Sequence, residues 1–276
     1  MTDTAARRQC AVLGDPIAHS LSPVLHRAGY AALGLDWQYD AHRVPAGGLS
    51  AFLDGLSDAW RGLSLTMPLK REAVPLVDSL TERARLAGAA NTVVLNDAGR
   101  EGDNTDIPGA AAAIRERTDV PVEQAVVLGG GATATSTGLA LADLGARRVE
   151  LVVRVPERAA ETVAALRSHP AAPEVAVSLL GEPHPFQADI VVSTVPVEAQ
   201  TEELVARCGA VPVLFEVLYH PWPTPLAASA GGRPLVGGLD LLVHQAAFQF
   251  ELFTGRPAPL QAMREAGEAA LEARAH

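Results

Sequence analysis

The chain has 276 residues, 48% of them apolar and 4% aromatic, enough for one large domain or two of ordinary size with a core built mainly from alanine, valine and leucine. A net charge of −10 speaks against nucleic acid as a partner, because phosphate binding needs a basic face. No apolar run approaches the length of a membrane span, and the N-terminus MTDTAARRQC lacks the apolar core of a signal peptide. Cys10 and Cys208 have no CxxC spacing, so the expectation is a reduced, cytoplasmic protein without a metal site.

The first strand is expected over Cys10–Leu13. The turn GDPIAHSLSP follows, then a helix over Pro23–Leu35 with Pro23 at its first position, where a missing N–H costs nothing. Ser20 and Ser22 flank Leu21 just before that helix. Two hydroxyls at i and i+2, beside the unpaired N–H groups of a helix start, can receive a small carboxylate; the plainer alternative is that Ser22 only caps the helix. A strand over Trp37–Val44, a helix over Leu49–Leu56 and a strand over Gly62–Leu65 come next. Thr66 and Pro68 then lead into a helix expected over Lys70–Asp78. Of the 22 Lys and Arg residues, Lys70 alone is lysine. Arginine does not exchange its proton in any useful range and lysine does, which makes Lys70 the best catalytic candidate, against chance survival of one lysine.

Asn91 ends a loop entering a strand over Thr92–Leu95, where its amide can hold a substrate hydroxyl. Asp106, in GDNTD, stands where a helix over Ile107–Arg117 begins and reads equally as an ordinary N-cap or first-turn acid. The segment from Ala125 to Val153 then runs strand (Ala125–Leu128), glycine turn, helix (Thr133–Leu144), strand (Val149–Val153). Gly129-x-Gly131-x-x-Ala134 fits the dinucleotide fingerprint in this setting, with Gly130 and Ala132 completing the turn. No acid closes the second strand. Arg154 and Arg158 follow it and can form a cationic pocket for the extra phosphate of NADP; the alternative is two solvated arginines partly offset by Glu157.

A helix over Glu157–Arg167, strands over Val175–Leu179, Ile190–Ser193 and Val211–Val217, and helices over Leu239–Phe253 and Leu260–Ala273 complete the chain. This alternation predicts an α/β fold with parallel sheets covered on both faces. The nucleotide-binding unit begins only near residue 104. We therefore expect a substrate domain at residues 1–103, completed by 239–276, a Rossmann-type domain at 104–238, and an active site in the cleft between them.

The pieces GDPIAHSLSP, GLSLTMPLK, AGAANTV, GDNTD, GGGATA, PERAA, EVLYHPWPTPL and GLDLLVHQAAFQFELFTG together resemble the shikimate dehydrogenase family along nearly the whole chain. The resemblance implies NADPH-dependent reduction of 3-dehydroshikimate to shikimate, a step toward chorismate and the aromatic amino acids. By that resemblance Ser20 and Ser22 hold the substrate carboxylate. Thr66, Asn91, Asp106 and Gln245 bind ring hydroxyls, Lys70 and Asp106 form the catalytic pair, and Tyr219 lines the same cleft. Gly129, Gly131, Arg154, Arg158, Thr194, Val217, Gly238 and Leu241 fall at its cofactor positions. The chain departs from the family at Val153-Arg154-Val155, usually Asn-Arg-Thr, at Glu216, commonly Asp, at Leu241, usually Met, and at Ile107, often Gly. Alternatives are a quinate or dual quinate/shikimate dehydrogenase using NAD(P), and a non-catalytic sensor of NADP(H) or a shikimate-like ligand. The sequence leaves a homodimer open.

Overall fold

The computed structural model describes residues 7–275; the first six, on which part of the signal-peptide expectation rests, lie outside the described residues. The chain divides into two units, one of residues 7–105 with 245–275 and one of Asp106–His244.

The first unit begins with β1 (Arg8–Gly14), α1 (Ser22–Ala32), β2 (Trp37–Arg43), α2 (Leu49–Asp54), β3 (Trp60–Leu65) and α3 (Leu69–Glu72). It continues through β4 (Ser79–Leu80), α4 (Glu82–Ala87), β5 (Thr92–Asn96) and β6 (Gly99–Asp103). Its sheet has the order β2-β1-β3-β5-β6-β4 and is mixed: β1 runs parallel to β2 and β3, whereas β5 is antiparallel to both β3 and β6. The all-parallel expectation is corrected here, because β5 and β6 are joined by a tight hairpin, which only antiparallel strands permit. The helix expected over Lys70–Asp78 is also shorter. It stops at Glu72 and gives way to a 3-10 turn over Val74–Leu76, since Pro75 offers no N–H to continue the α-helical ladder.

The second unit runs α5 (Asp106–Arg117), β7 (Gln124–Leu128), α6 (Ala132–Asp143), β8 (Arg148–Val153), α7 (Ala160–Arg167), β9 (Glu174–Leu179) and β10 (Ile190–Ser193). Then come α8 (Glu202–Arg207), β11 (Val213–Glu216), α9 (Pro225–Ala228), β12 (Leu235–Val236) and the start of α10 (Gly238–Thr254). All strands of its sheet are parallel, in the order β12-β11-β10-β7-β8-β9, which is the doubly wound Rossmann arrangement. Residues 239–244, assigned from sequence to the substrate domain, cluster with this unit. Arg117 on α5 grips Asp240 through two hydrogen bonds of 3.0 and 2.6 Å, and His244 lies 2.7 Å from Glu116.

The rest of α10 and α11 (Leu260–Ala275) belong to the first unit. Two glycines make room for them. A Cβ at Gly29 would fall 2.7 Å from the Phe250 ring, and one at Gly62 would collide with Phe253. The scarce aromatic residues gather there: His26 stacks on Tyr39 with centroids 4.0 Å apart and also faces Phe250 and Phe253. His26 is fully buried and neither ring nitrogen makes a well-formed hydrogen bond, so loss of solvation pushes its pKa down to about 3 against a smaller opposing pull from the Gln249 side chain.

An unfolded chain protonates that imidazole below about pH 6.5. The folded chain does so only near 3, so stability falls as pH drops through the interval, by on the order of 5 kcal/mol when complete. His26→Phe keeps the stack and removes the titration. Urea unfolding at stepwise pH is expected to show a flatter acid limb in the variant.

Candidate functional site

In the first unit, the mixed sheet brings one set of strand ends to a common edge. The C-terminal ends of β1, β3 and β6 and the N-terminal end of β5 lie there, and the candidate residues follow or precede them. After β1, the Asp15 N–H donates to Met67 C=O at 2.9 Å, tying the serine turn to the segment after β3. Ser22 is not the helix cap. The helix begins at Ser22 itself, Leu21 is the N-cap without a side-chain bond, and Pro23 is the second helical residue rather than the first. The hydroxyl that serves the helix start belongs to Ser20, whose Oγ accepts the Ser22 N–H at 3.3 Å. Ser22 is buried and Ser20 half-buried.

Thr66 leaves β3 with its N–H on Leu13 C=O at 2.9 Å and its own C=O accepting from Leu69, which starts α3. Lys70 is half-buried in this short helix. Its C=O accepts the Ala90 N–H at 2.8 Å, so the lysine backbone is stitched to the loop that delivers Asn91. Asn91 is 2% exposed and fully engaged. Its Oδ1 accepts from the Thr105 N–H at 2.7 Å and the Thr92 hydroxyl at 2.8 Å; its Nδ2 donates to Thr105 Oγ1 at 2.9 Å and Gln245 Oε1 at 3.3 Å. The structure therefore brings Asn91 and Gln245 together, although 154 residues separate them.

Sequence reasoning missed the support beneath this cluster. Asp103 accepts two hydrogen bonds from Arg83, one at 2.7 Å, and one from the Thr81 hydroxyl at 2.6 Å; it also takes the Asn104 N–H at 2.7 Å. Burial opposes ionisation of this carboxyl, but the Arg83, Thr81 and Asn104 donors outweigh it and hold the carboxyl below the usual carboxylate range. The available signal was GDNTD itself, a polar run whose Asp103, Asn104 and Thr105 are all buried, which is tolerable only when every group is partnered.

Asp106, the next residue after Thr105, opens α5 as a first-turn acid and is buried. It belongs to the second unit and Lys70 to the first. In the second unit the strand order reverses between β7 and β10, the point where doubly wound sheets bind ligands. Gly129 leaves β7 at φ +116°, in the region that favours glycine, and a Cβ there would collide with the Thr194 hydroxyl. Thr194 in turn donates its hydroxyl to Leu128 C=O at 2.8 Å. Thr162, another unforeseen residue, donates to Gly130 C=O at 2.9 Å and pins the turn from α7. Gly131 is the N-cap of α6, with no side-chain cap on the helix and nothing within 4 Å of where its Cβ would be; Ala132 begins the helix. An uncapped helix start with an open approach fits a dinucleotide pyrophosphate.

Arg154 and Arg158 are exposed beyond the end of β8, and neither makes an ion pair with another described residue. On the other side of the switch point, Glu216 ends β11 fully buried, with no cation paired to it among the described residues. Burial pushes its carboxyl up, while the Leu218 N–H, Thr224 hydroxyl and Gln200 amide bond to it and moderate the rise. This carboxyl anchors the loop that carries Val217, Leu218 and Tyr219. Gly238 lies against the same backbone, where a Cβ would collide with Val217 C=O, and Leu241 is buried one turn later. Among the described residues no group of three or more His, Cys, Asp and Glu side chains could hold a metal, and no helix is long and apolar enough to cross a membrane.

Two family models match: a shikimate dehydrogenase substrate binding domain over residues 12–93 and a shikimate 5'-dehydrogenase C-terminal domain over residues 238–266. The chain is 36% identical over 263 residues to a shikimate dehydrogenase (NADP(+)) of Desulfitobacterium hafniense, covering 93% of this chain and 96% of that protein. Among solved structures it is similar to Mycobacterium tuberculosis shikimate dehydrogenase, with 40% identity, a TM-score of 0.87 and coverage of 95% and 99%. It is also similar to the Thermus thermophilus shikimate 5-dehydrogenase solved with NADP(H) and shikimate, with 29% identity, a TM-score of 0.81 and coverage of 95% and 99%.

The Arg83–Asp103 pair generates a stability test. Arg83→Leu strands a buried carboxylate and is expected to cost about 2 kcal/mol near pH 7, less than a fully buried pair because the guanidinium is partly open to solvent. A carboxyl with a lowered folded pKa contributes stability above its unfolded value and loses it as pH falls. The gap between the two proteins in urea unfolding should therefore close on acidification.

Proposed function

Because the chain belongs to the shikimate dehydrogenase family, we propose that it interconverts 3-dehydroshikimate and shikimate with NADP(H). The observation that carries this reading is the buried amide cluster of Asn91 and Gln245 at the strand ends that also bear Ser22, Thr66 and Lys70. A small polyol needs such closely spaced donors and acceptors on one side and a carboxylate receptor on the other. Ser20 and Ser22 are that receptor, and Thr66, Asn91, Asp106 and Gln245 take the ring hydroxyls, Asn91 by exchanging its 3.3 Å contact with Gln245 Oε1 for a substrate oxygen, with Tyr219 a further substrate-binding residue. The net charge of −10 keeps nucleic acid out of the reading.

Lys70 gives a proton to the developing alkoxide during reduction and takes it back during oxidation, with Asp106 as its acid–base partner. NADPH supplies the hydride when bound. Gly129, Gly130, Gly131 and Ala132 would hold its pyrophosphate through backbone N–H groups, and Thr194, Val217, Gly238 and Leu241 would complete the cofactor site. Arg154 and Arg158 pair with the 2′-phosphate; their lack of acidic partners among the described residues leaves them available for it. A quinate enzyme using NAD is the second reading. It is weaker here because Ser22 is retained and no acid closes β8.

The purified protein is expected to give its highest kcat/KM with shikimate and NADP+ when shikimate and quinate are each assayed with both cofactors. Quinate with NAD+ coming out ahead would overturn the assignment. Lys70→Ala is expected to lower kcat by about a hundred- to ten-thousand-fold with a much smaller change in shikimate KM, and near-normal turnover would remove Lys70 from the chemistry. In the Arg154→Ala/Arg158→Ala double variant, KM for NADP+ should rise by about tenfold or more while KM for NAD+ stays put.

A further inference from the structure

We propose that Gln249, with Ser64 and Tyr39, is a positioning residue for ring-hydroxyl recognition: the three side chains form a buried strut that fixes the Asn91 segment under the substrate. Gln249 is 1% exposed and sits four residues after Gln245 on α10, so both amides project from the same helix face. They grip the same residue at different points. Gln245 Oε1 meets the Asn91 side chain, and Gln249 Nε2 donates to the Asn91 C=O at 3.1 Å and to Thr92 Oγ1 at 3.0 Å. Gln249 Oε1 accepts the Ser64 hydroxyl at 2.7 Å, and Ser64 Oγ accepts from the Tyr39 phenol at 2.5 Å.

The orientation of this strut is fixed. A carbonyl oxygen only accepts, so the Asn91 C=O demands the NH2 side of Gln249 and leaves Oε1 for Ser64. Tyr39 is fully buried, and the His26 ring stacked on it within 8° of parallel holds its phenol toward Ser64. A buried amide costs free energy unless its hydrogen bonds are made, and this one is met by the Asn91 C=O, Thr92 Oγ1 and the Ser64 hydroxyl. What the amide adds is a rigid support for the one loop residue whose side chain faces Thr105 and Gln245 together. Gln249 itself bonds only to protein.

The inference rests on the shikimate reading, and the experiment separates the two. Steady-state kinetics are measured for the intact enzyme and for Gln249→Met, Ser64→Ala and the double variant, with shikimate and NADP+ varied in turn. Gln249→Met keeps the side-chain volume and removes the donors. Shikimate KM should rise about tenfold, with kcat within about twofold and NADP+ KM unmoved. Ser64→Ala should act in the same direction, and the double variant should be no worse than Gln249→Met, because both changes break one strut. A shikimate KM within about twofold of the intact enzyme, equal losses for both ligands, or additive effects would each overturn the proposal. If Gln249→Met does not fold, Ser64→Ala and Tyr39→Phe decide by the same criteria. An intact enzyme that does not turn over shikimate overturns the functional reading; an active one with indifferent variants overturns the strut alone.

Discussion

Asn91 carries two donors and two acceptor lone pairs into a place where water does not reach, so protein must meet all four. It does so with groups from β5, from the segment after β6 and from α10, which are remote in sequence. Leaving any one unmet would cost about 1–3 kcal/mol, a large part of a domain's net stability. The first unit is thus obliged to close its hairpin and dock its part of α10 in one register.

The second unit rests on a complementary constraint, which is space. Thr194 and Ala159 crowd two of the three turn glycines, and the third has nothing within 4 Å of where its Cβ would be. The turn is held from beneath by Thr162 and Thr194 and left open above. Glu216 plays a similar part on the other side of the sheet's reversal point, where neutral donors alone moderate a buried carboxyl and hold a loop in place.

Features that depend on local backbone demands were legible in the sequence. The glycine turn between β7 and α6 declares itself because only glycine tolerates φ +116° beside the Thr194 hydroxyl, and the strand–turn–helix flanks confirm it. Features defined by remote partners were not. The two-residue strands β4 and β12 exist only because β6 and β11 pair with them, and no periodicity of 2 can appear in so short a run. Pro75 did carry a visible stop signal for the helix after Lys70, which the apolar pattern around it masked. Nothing in the local pattern marks Gln249; its meaning comes from Ser64, 185 residues earlier. The serine turn falls between these cases: the two hydroxyls were identified, and the alternative that Ser22 caps the helix gives way to Ser20 accepting the Ser22 N–H.

Lys70 sits half-buried at the head of α3, and no other residue of the chain ends in a primary amine on an alkyl stem. Reductive methylation with isotopically labelled formaldehyde would therefore install a single side-chain NMR reporter, apart from the α-amine. Its chemical shift would follow the protonation of one nitrogen through ligand binding, against a background free of competing signals.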